Sequence, residues 1–376
     1  MLSRYIEKIL IREAQEIAKK NNKTVDYVFE NLKDNFEPLL DELSYIYNGS
    51  LEKNKYDYLK YHLDEVKDFE NRLYRVWGKP LGRFEMMIVM CRELGSEVND
   101  EFRKRNDESY KLDVLTRLHA HSLQISCEIL QLIKGGYADG AMARWRSLHE
   151  SAVISRLIST NEEKLAEKYY NHKYIDDYKF SMSYNEHCDY LDFEKVNDVT
   201  IDKIKLRYDS LLAKYGENYK NDYGWCFDLF NKKKVTFYDI ESFVGLSYLR
   251  PFYKFSSNRV HVGSKSIDYK LTLSSSYKVW SEEVLLSGPS NEGLIDPMQC
   301  AGLSLIDITE SLLSVTPTVD SMVSAKILSI WNGKLQQELV EANEALEKKM
   351  PRKSLSIILC NCHRIKGDRS GGHRTR

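Results

Sequence analysis

Glycine and proline are scarce, 18 and 7 in a chain of 376 residues, which argues against a turn-rich β fold and favours helices. A long apolar run is missing too. The longest, Met-Met-Ile-Val-Met-Cys at 86–91, falls far short of the roughly 20 residues that cross a bilayer. Residues 1–20 are charged throughout and lack the apolar centre of a secretion signal. Neither sign of charge dominates: the net value of −1 excludes polyanion binding by bulk electrostatics, so a nucleic-acid contact needs a local basic patch. Seven cysteines are odd in number and irregularly spaced, which excludes a disulfide framework and points to reduced thiols in a cytoplasm. No phosphate-binding loop, dinucleotide fingerprint, His-Glu-x-x-His or Cys-x-x-Cys pair occurs, and no cofactor or metal is expected.

What is abundant is helical periodicity. Hydrophobic residues make up 42% of the chain, ample for a core. Leu2, Ile6, Ile9, Leu10 and Ile17 recur at helical spacing, Thr24 suits an N-cap, and further helices are expected at about 55–76 and 83–105. The polar break after 105 sets an N-terminal helical region, 1–107, apart from the rest. From 109 the pattern tightens. One helix ends at Gly135–Gly136, a second starts after Asp139 as its cap, and Thr160-Asn-Glu-Glu has the form of a capping box for a third. Short connections make these three antiparallel neighbours, as in an up-and-down bundle. Helices near 200–214 and over 248–261, one from Asp296–Pro297, and a long amphipathic one over 319–349 complete a main bundle at 108–349. The Ser/Gly/Lys-rich stretch around 265–290 reads as a short β-hairpin or an ordered loop. Residues 350–376, with seven Lys or Arg, read as a basic flexible tail. The fold class is an all-α multi-helix bundle.

Two stretches carry candidate chemistry. In GGYADGAMARWRSLHESAVISRLI (135–158), positions three and four apart share a helix face, so Arg146, His149, Glu150 and Val153 form one stripe. Arg144 lies five residues before His149, well around the helix from it. The structural alternative is an Arg146–Glu150 ion pair that ties this helix to its neighbours. In YKFSSNRVHVGS (253–264), Ser257 and His261 share a face with Tyr253 one turn earlier, and histidine is suited to proton transfer near neutral pH. Cys360, Cys362, His363 and His373 make a Cys/His tract, but one residue between the cysteines is too tight for the usual zinc spacing. His119 and His121 face different sides of their helix and read as ordinary polar positions. Lys232, Lys233 and Lys234 read as a solvated basic loop.

The block EILQLIKGGYADGAMARWRSLHESAVISRLI together with FYKFSSNRVH resembles an uncharacterised bacterial family. Its members share an Arg-Ser-Leu-x-Glu helix, matched by Arg146, Ser147, Leu148 and Glu150, and a downstream Ser-x-x-x-His segment, matched by Ser257 and His261. The resemblance covers roughly residues 109–265 and brings no assigned activity. More distantly the chain is similar to HEPN ribonucleases, helical bundles marked by an arginine, four to six residues, then a histidine, a spacing that Arg144 and His149 meet.

That similarity implies metal-independent RNA cleavage at a seam between two protomers. His149 would move the proton at the 2′-hydroxyl or the 5′-oxygen. Arg144 or Arg146 would stabilise phosphate charge, with Glu150 and His261 orienting them. It implies a homodimer and a role as a bacterial defence or toxin effector, with RNA and a protein antitoxin as partners. The alternative is a non-catalytic helical protein whose Arg146, Glu150, Ser257 and His261 form a recognition pocket walled by Tyr253, for a ligand or a protein partner.

Overall fold

The protein is described from a computed structural model, which covers residues 2–31, 36–105, 108–230, 232, 234–261, 271 and 287–349. Among these residues there is no strand. The helices are α1 (Leu2–Lys20), α2 (Val25–Glu30), α3 (Phe36–Arg105), α4 (Tyr110–Lys134), α5 (Ala138–Thr160), α6 (Glu163–His187), α7 (Asp198–Tyr215), α8 (Phe237–Phe243), α9 (Arg250–Val260), α10 (Ile295–Leu313) and α11 (Val319–Lys349). The all-α expectation is met. The hairpin expected around 265–290 falls almost wholly outside the described residues, as do the 350–376 tail and its Cys/His tract. No described helix is long and apolar enough to cross a membrane.

Contacts divide the chain into two compact units, Met1–Arg72 and Leu73–Arg376. This boundary lies inside α3, whereas the polar break had suggested one at 107. In the first unit α1 packs on α2, Thr24 caps α2 by accepting from the Tyr27 N–H, and Ala14 and Ala18 are buried.

The expected break between 76 and 83 does not occur: α3 runs through with Pro80 inside it. An interior proline costs a helix about 3 kcal/mol. Around it Leu73, Trp77, Leu81, Phe84, Met87 and Cys91 are all buried at helical spacing. Each large apolar side chain so placed stabilises by about 1.5–3 kcal/mol, and together they outweigh the proline. Tertiary packing overrides the local breaker.

The second unit is organised around α5, which packs against α4, α10, α9 and α8. Gly135 and Gly136 end α4 as expected, Gly136 at φ 77°, a conformation favouring glycine. The capping-box expectation at Thr160 is not met. Thr160 ends α5 with its hydroxyl donating to Arg156 O, and Glu162 precedes α6 without a side-chain cap. Thr160 lies too far before α6 to serve it. Asp139 likewise sits within the first turn of α5, after Tyr137, and accepts from the Leu271 N–H at 3.1 Å. Two close approaches set helix spacing. A Cβ on Gly95 of α3 would meet the His119 ring of α4 at 2.5 Å, and one on Gly302 of α10 would meet Asn332 and Leu335 of α11 at 2.8 and 3.0 Å.

Candidate functional site

Helix α5 is surrounded, so a polar residue on it must find a partner on whichever neighbour it faces. Trp145 donates its indole N–H to Ser304 Oγ of α10 (3.0 Å). Arg156 pairs with Asp307 of the same helix. Arg144 pairs with Glu128 of α4. His149 Nε2 is 2.8 Å from Glu241 Oε1 of α8, and because a carboxylate only accepts, that nitrogen carries the proton. Arg146 donates through Nε to Glu150 Oε1 (3.1 Å) and through Nη1 to Ser257 Oγ of α9 (2.9 Å). Arg144, Trp145, Arg146, His149 and Arg156 therefore each fasten α5 to a neighbour or to its own face.

The candidate residues separate into four places. Arg144 turns to α4. His149 is fully enclosed, with 0% of its side chain exposed. It stacks on Trp145 with centroids 5.1 Å apart and touches the rings of Phe237 and Tyr253. Its partner Glu241, also fully buried, takes a second bond from Arg250 Nη1 of α9 (3.1 Å). The result is an Arg250–Glu241–His149 chain linking α9, α8 and α5, enclosed at His149 and Glu241 and part-exposed at Arg250.

The third place is open to solvent. Arg146 and Glu150 are 25% and 39% exposed. Tyr253 donates its hydroxyl to Glu150 Oε1 (2.5 Å), and the Arg146 guanidinium lies 4.6 Å from the centre of the Tyr253 ring, a cation–π distance. Burial raises the Tyr253 hydroxyl above its ordinary pKa, and the Glu150 charge adds to this. Burial works against the Arg146 charge, but Glu150 and Tyr253 prevail and raise it. Ser257 completes the group, donating to Tyr253 O (3.0 Å). Of the expected site, Arg146, Glu150, Tyr253 and Ser257 come together. His261 is exposed beyond the end of α9, its backbone N–H on Ser257 O (2.9 Å) and its ring without a hydrogen bond or ring contact among the described residues. His119 is buried, bonds Thr309 Oγ1 (3.1 Å), and is pushed down by burial to about 4.

Glu241 and Arg250 escaped the sequence reading. A signal existed: in Phe237-Tyr-Asp-Ile240-Glu241, positions 237, 240 and 241 share one helix face, so the glutamate sits on the apolar side of α8. Helix α8 is held in place by a complete capping box between Thr236 and Asp239. Lys232, read as a solvated loop residue, pairs with Asp239. Lys232 above all, then the Thr236 N–H and hydroxyl, hold the Asp239 carboxyl down to about 2.

The folded pKa of Asp239 thus lies below the unfolded one, so its ionised form stabilises the fold. That contribution is complete above the ordinary carboxylate value and is lost as pH falls from about 4 to about 2. Asp239→Ala is expected to cost about 1 kcal/mol at neutral pH, as losses of helix caps do. The gap to wild type in urea denaturation should close on acidification over that interval; a gap unchanged at pH 2 refutes the capping role.

Two acidic residues lie one turn apart on α10, Asp307 buried and Glu310 half-buried. Burial raises Asp307 despite Arg156 and His149 nearby, and burial followed by Asp307 raises Glu310. No group of His, Cys, Asp and Glu among the described residues could hold a metal ion.

These features define a helical bundle with a polar, partly buried centre on α5. Residues 112–278, under half of the chain, match a family model described as a family of unknown function, DUF5677. The matched segment holds the whole α5–α8–α9 polar cluster. No curated protein and no solved structure matches the chain.

Proposed function

We propose that the α5–α9 face is a recognition site and that the protein is a non-catalytic binding module. One observation carries this reading: the Arg146–Glu150 pair is part-exposed against Tyr253 while the neighbouring His149 is enclosed. Arg146 spends Nε and Nη1 on Glu150 and Ser257, leaving Nη2 as a donor. Glu150 spends Oε1 on Arg146 and Tyr253, leaving Oε2 as an acceptor. A donor beside an acceptor complements a ligand edge with an acceptor beside a donor, the pattern of a carboxamide or of a nucleobase edge.

The test is a thermal-shift panel of nucleosides and small carboxamides against wild type and Glu150→Gln. At least one compound should stabilise wild type, by about 2.7 kcal/mol at a hundredfold excess over Kd, and fail with the variant. A panel with no hit, or a hit indifferent to Glu150, refutes the site.

A metal-independent endoribonuclease of a defence or toxin system, acting as a homodimer on RNA, is the second reading. It is favoured by Arg146 standing open one turn before His149 on α5. Its chemistry needs His149 to reach a 2′-hydroxyl, and the ring is sealed by Trp145, Phe237 and Tyr253. Cleavage of total tRNA in EDTA, lost in folded Arg146→Ala and leaving 2′,3′-cyclic phosphate ends, would transfer the site to that reaction.

A further inference from the structure

Part of α3 has no neighbour. From Lys55 to Glu65 every residue is exposed, so about three turns stand with nothing packed on any side among the described residues. A helix surrounded by water should be polar all round, and this one is not. Tyr56, Leu59 and Leu63 are 74%, 53% and 63% exposed, and the half-buried Val66 follows at the same spacing. At about 100° per residue the four fall in an arc roughly 80° wide, the narrow stripe of a coiled-coil seam. No charged residue between them falls within that arc, and the exposed Tyr58 and Tyr61 lie outside it. Single exposed apolar residues are ordinary, whereas a contiguous stripe marks an interaction surface.

The charges around the stripe select its occupant. With Tyr56 and Leu63 at heptad position a and Leu59 and Val66 at d, Lys60 and Lys67 occupy e, and Lys55 and His62 occupy g. The acids Asp57, Asp64, Glu65 and Asp68 fall on the outer positions b, c and f. Lys55 pairs with Glu52 (2.6 Å), whereas Lys60 and Lys67 enter no ion pair among the described residues. Glu52 and Glu70, at d and a, stand on the line of the seam and close it at its two ends. A second copy is disfavoured, because parallel pairing sets Lys60 beside the copy's Lys55 and antiparallel pairing sets it beside the copy's Lys67. An anionic bilayer needs a broader apolar face and would meet Glu52 and Glu70 along the same line. A helix with acidic flanks meets neither obstacle.

We propose that this stretch of α3 docks an amphipathic helix of another protein, apolar at its a and d positions and acidic at e and g. Glu52 and Glu70 are about 27 Å apart along the helix, room for a partner of about 18 residues. A seam of that length buries less than the ~800 Å² per partner of a standard interface, so the complex is reversible, and its exposed charge pairs make it sensitive to salt. The inference is independent of the recognition site on α5 and α9.

Fluorescence anisotropy on the full chain tests it with two labelled helical peptides. Both carry leucine at a and d; one has glutamate at e and g, the other lysine, and like charges keep each from pairing with itself. The acidic peptide should bind, less tightly as salt rises, and the basic one should not. Leu63→Ala should raise the Kd about tenfold with unchanged circular dichroism, since that side chain is exposed. Lys60→Glu with Lys67→Glu should also raise it about tenfold, through two inverted exposed pairs, and abolish the preference between the peptides. These substitutions touch only exposed residues, so the fold survives them. An acidic peptide that fails to bind, that binds wild type and variants alike, or that binds no better than the basic one overturns the proposal. Leu63-dependent self-association in sedimentation velocity, or Leu63-dependent binding to vesicles of phosphatidylcholine and phosphatidylserine, overturns it equally by giving the stripe to a second copy or to a lipid surface.

Discussion

Glu241→Ala is expected to destabilise the Leu73–Arg376 unit by about 3–5 kcal/mol in urea or guanidinium denaturation, the cost of removing one partner from a buried ion pair. The carboxylate is fully enclosed and receives both His149 Nε2 and Arg250 Nη1. Without it, the His149 imidazole N–H loses its acceptor in a region that water does not reach, and the quarter-exposed Arg250 guanidinium loses its carboxylate, so the desolvation of the enclosed groups is no longer offset. Glu241→Gln keeps the shape and one acceptor oxygen but not the charge, so its cost should be clearly smaller. Equal losses in the two variants would mean that the charge alone, not the shape, matters here. A loss below about 1 kcal/mol in both would refute the buried chain as a structural element. The result also bears on activity measurements: His149→Ala disrupts the same chain, so lost function in that variant is informative only beside a stability measurement. Arg146 and Glu150, open to solvent, are the cleaner probes.

Trp145→Ala should cost a similar amount, about 3–5 kcal/mol, the range for deleting a large buried ring. In a unit of this size that is on the order of a 10 °C fall in Tm. The indole is completely buried, stacks on His149 and donates to Ser304 of α10. Its loss opens a cavity at the crossing of α5 and α10 and leaves the imidazole without its stacking partner. Trp145→Phe refills much of the volume and forfeits only the N–H, so it should retain most of the stability. If Trp145→Ala proves nearly neutral, α5 is not the centre of the packing.

Much of the architecture is legible in the chain. Periodicity places α4, α5 and α6 within a few residues of their observed bounds, and the paired glycines at 135–136 mark the stop of α4. The positions of failure have different causes. Pro80 reads locally as a breaker, yet α3 continues because Trp77, Leu81 and Phe84 bury on one face around it, and there tertiary packing outweighs a local preference worth a few kcal/mol at most. Thr160-Asn-Glu-Glu reads as a capping box, yet the threonine hydroxyl bonds back to Arg156 O within α5, one local preference displacing another.

The candidate site divides along the same line. That α5 carries Arg144, Arg146, His149 and Glu150, and that Arg146 and Glu150 share a face, follows from sequence spacing alone because i, i+4 geometry is a property of any helix. Which neighbour each side chain meets does not follow, since spacing on one helix is silent about what packs against it. Only the assembled bundle turns Arg144 to Glu128, encloses His149 against a glutamate from a helix ninety residues away, and leaves Arg146 and Glu150 open beside Tyr253 and Ser257. Helical identity comes from local chemistry; burial and charge pairing come from long-range packing. The distinction between a proton-transfer group and a structural one lies entirely in the second.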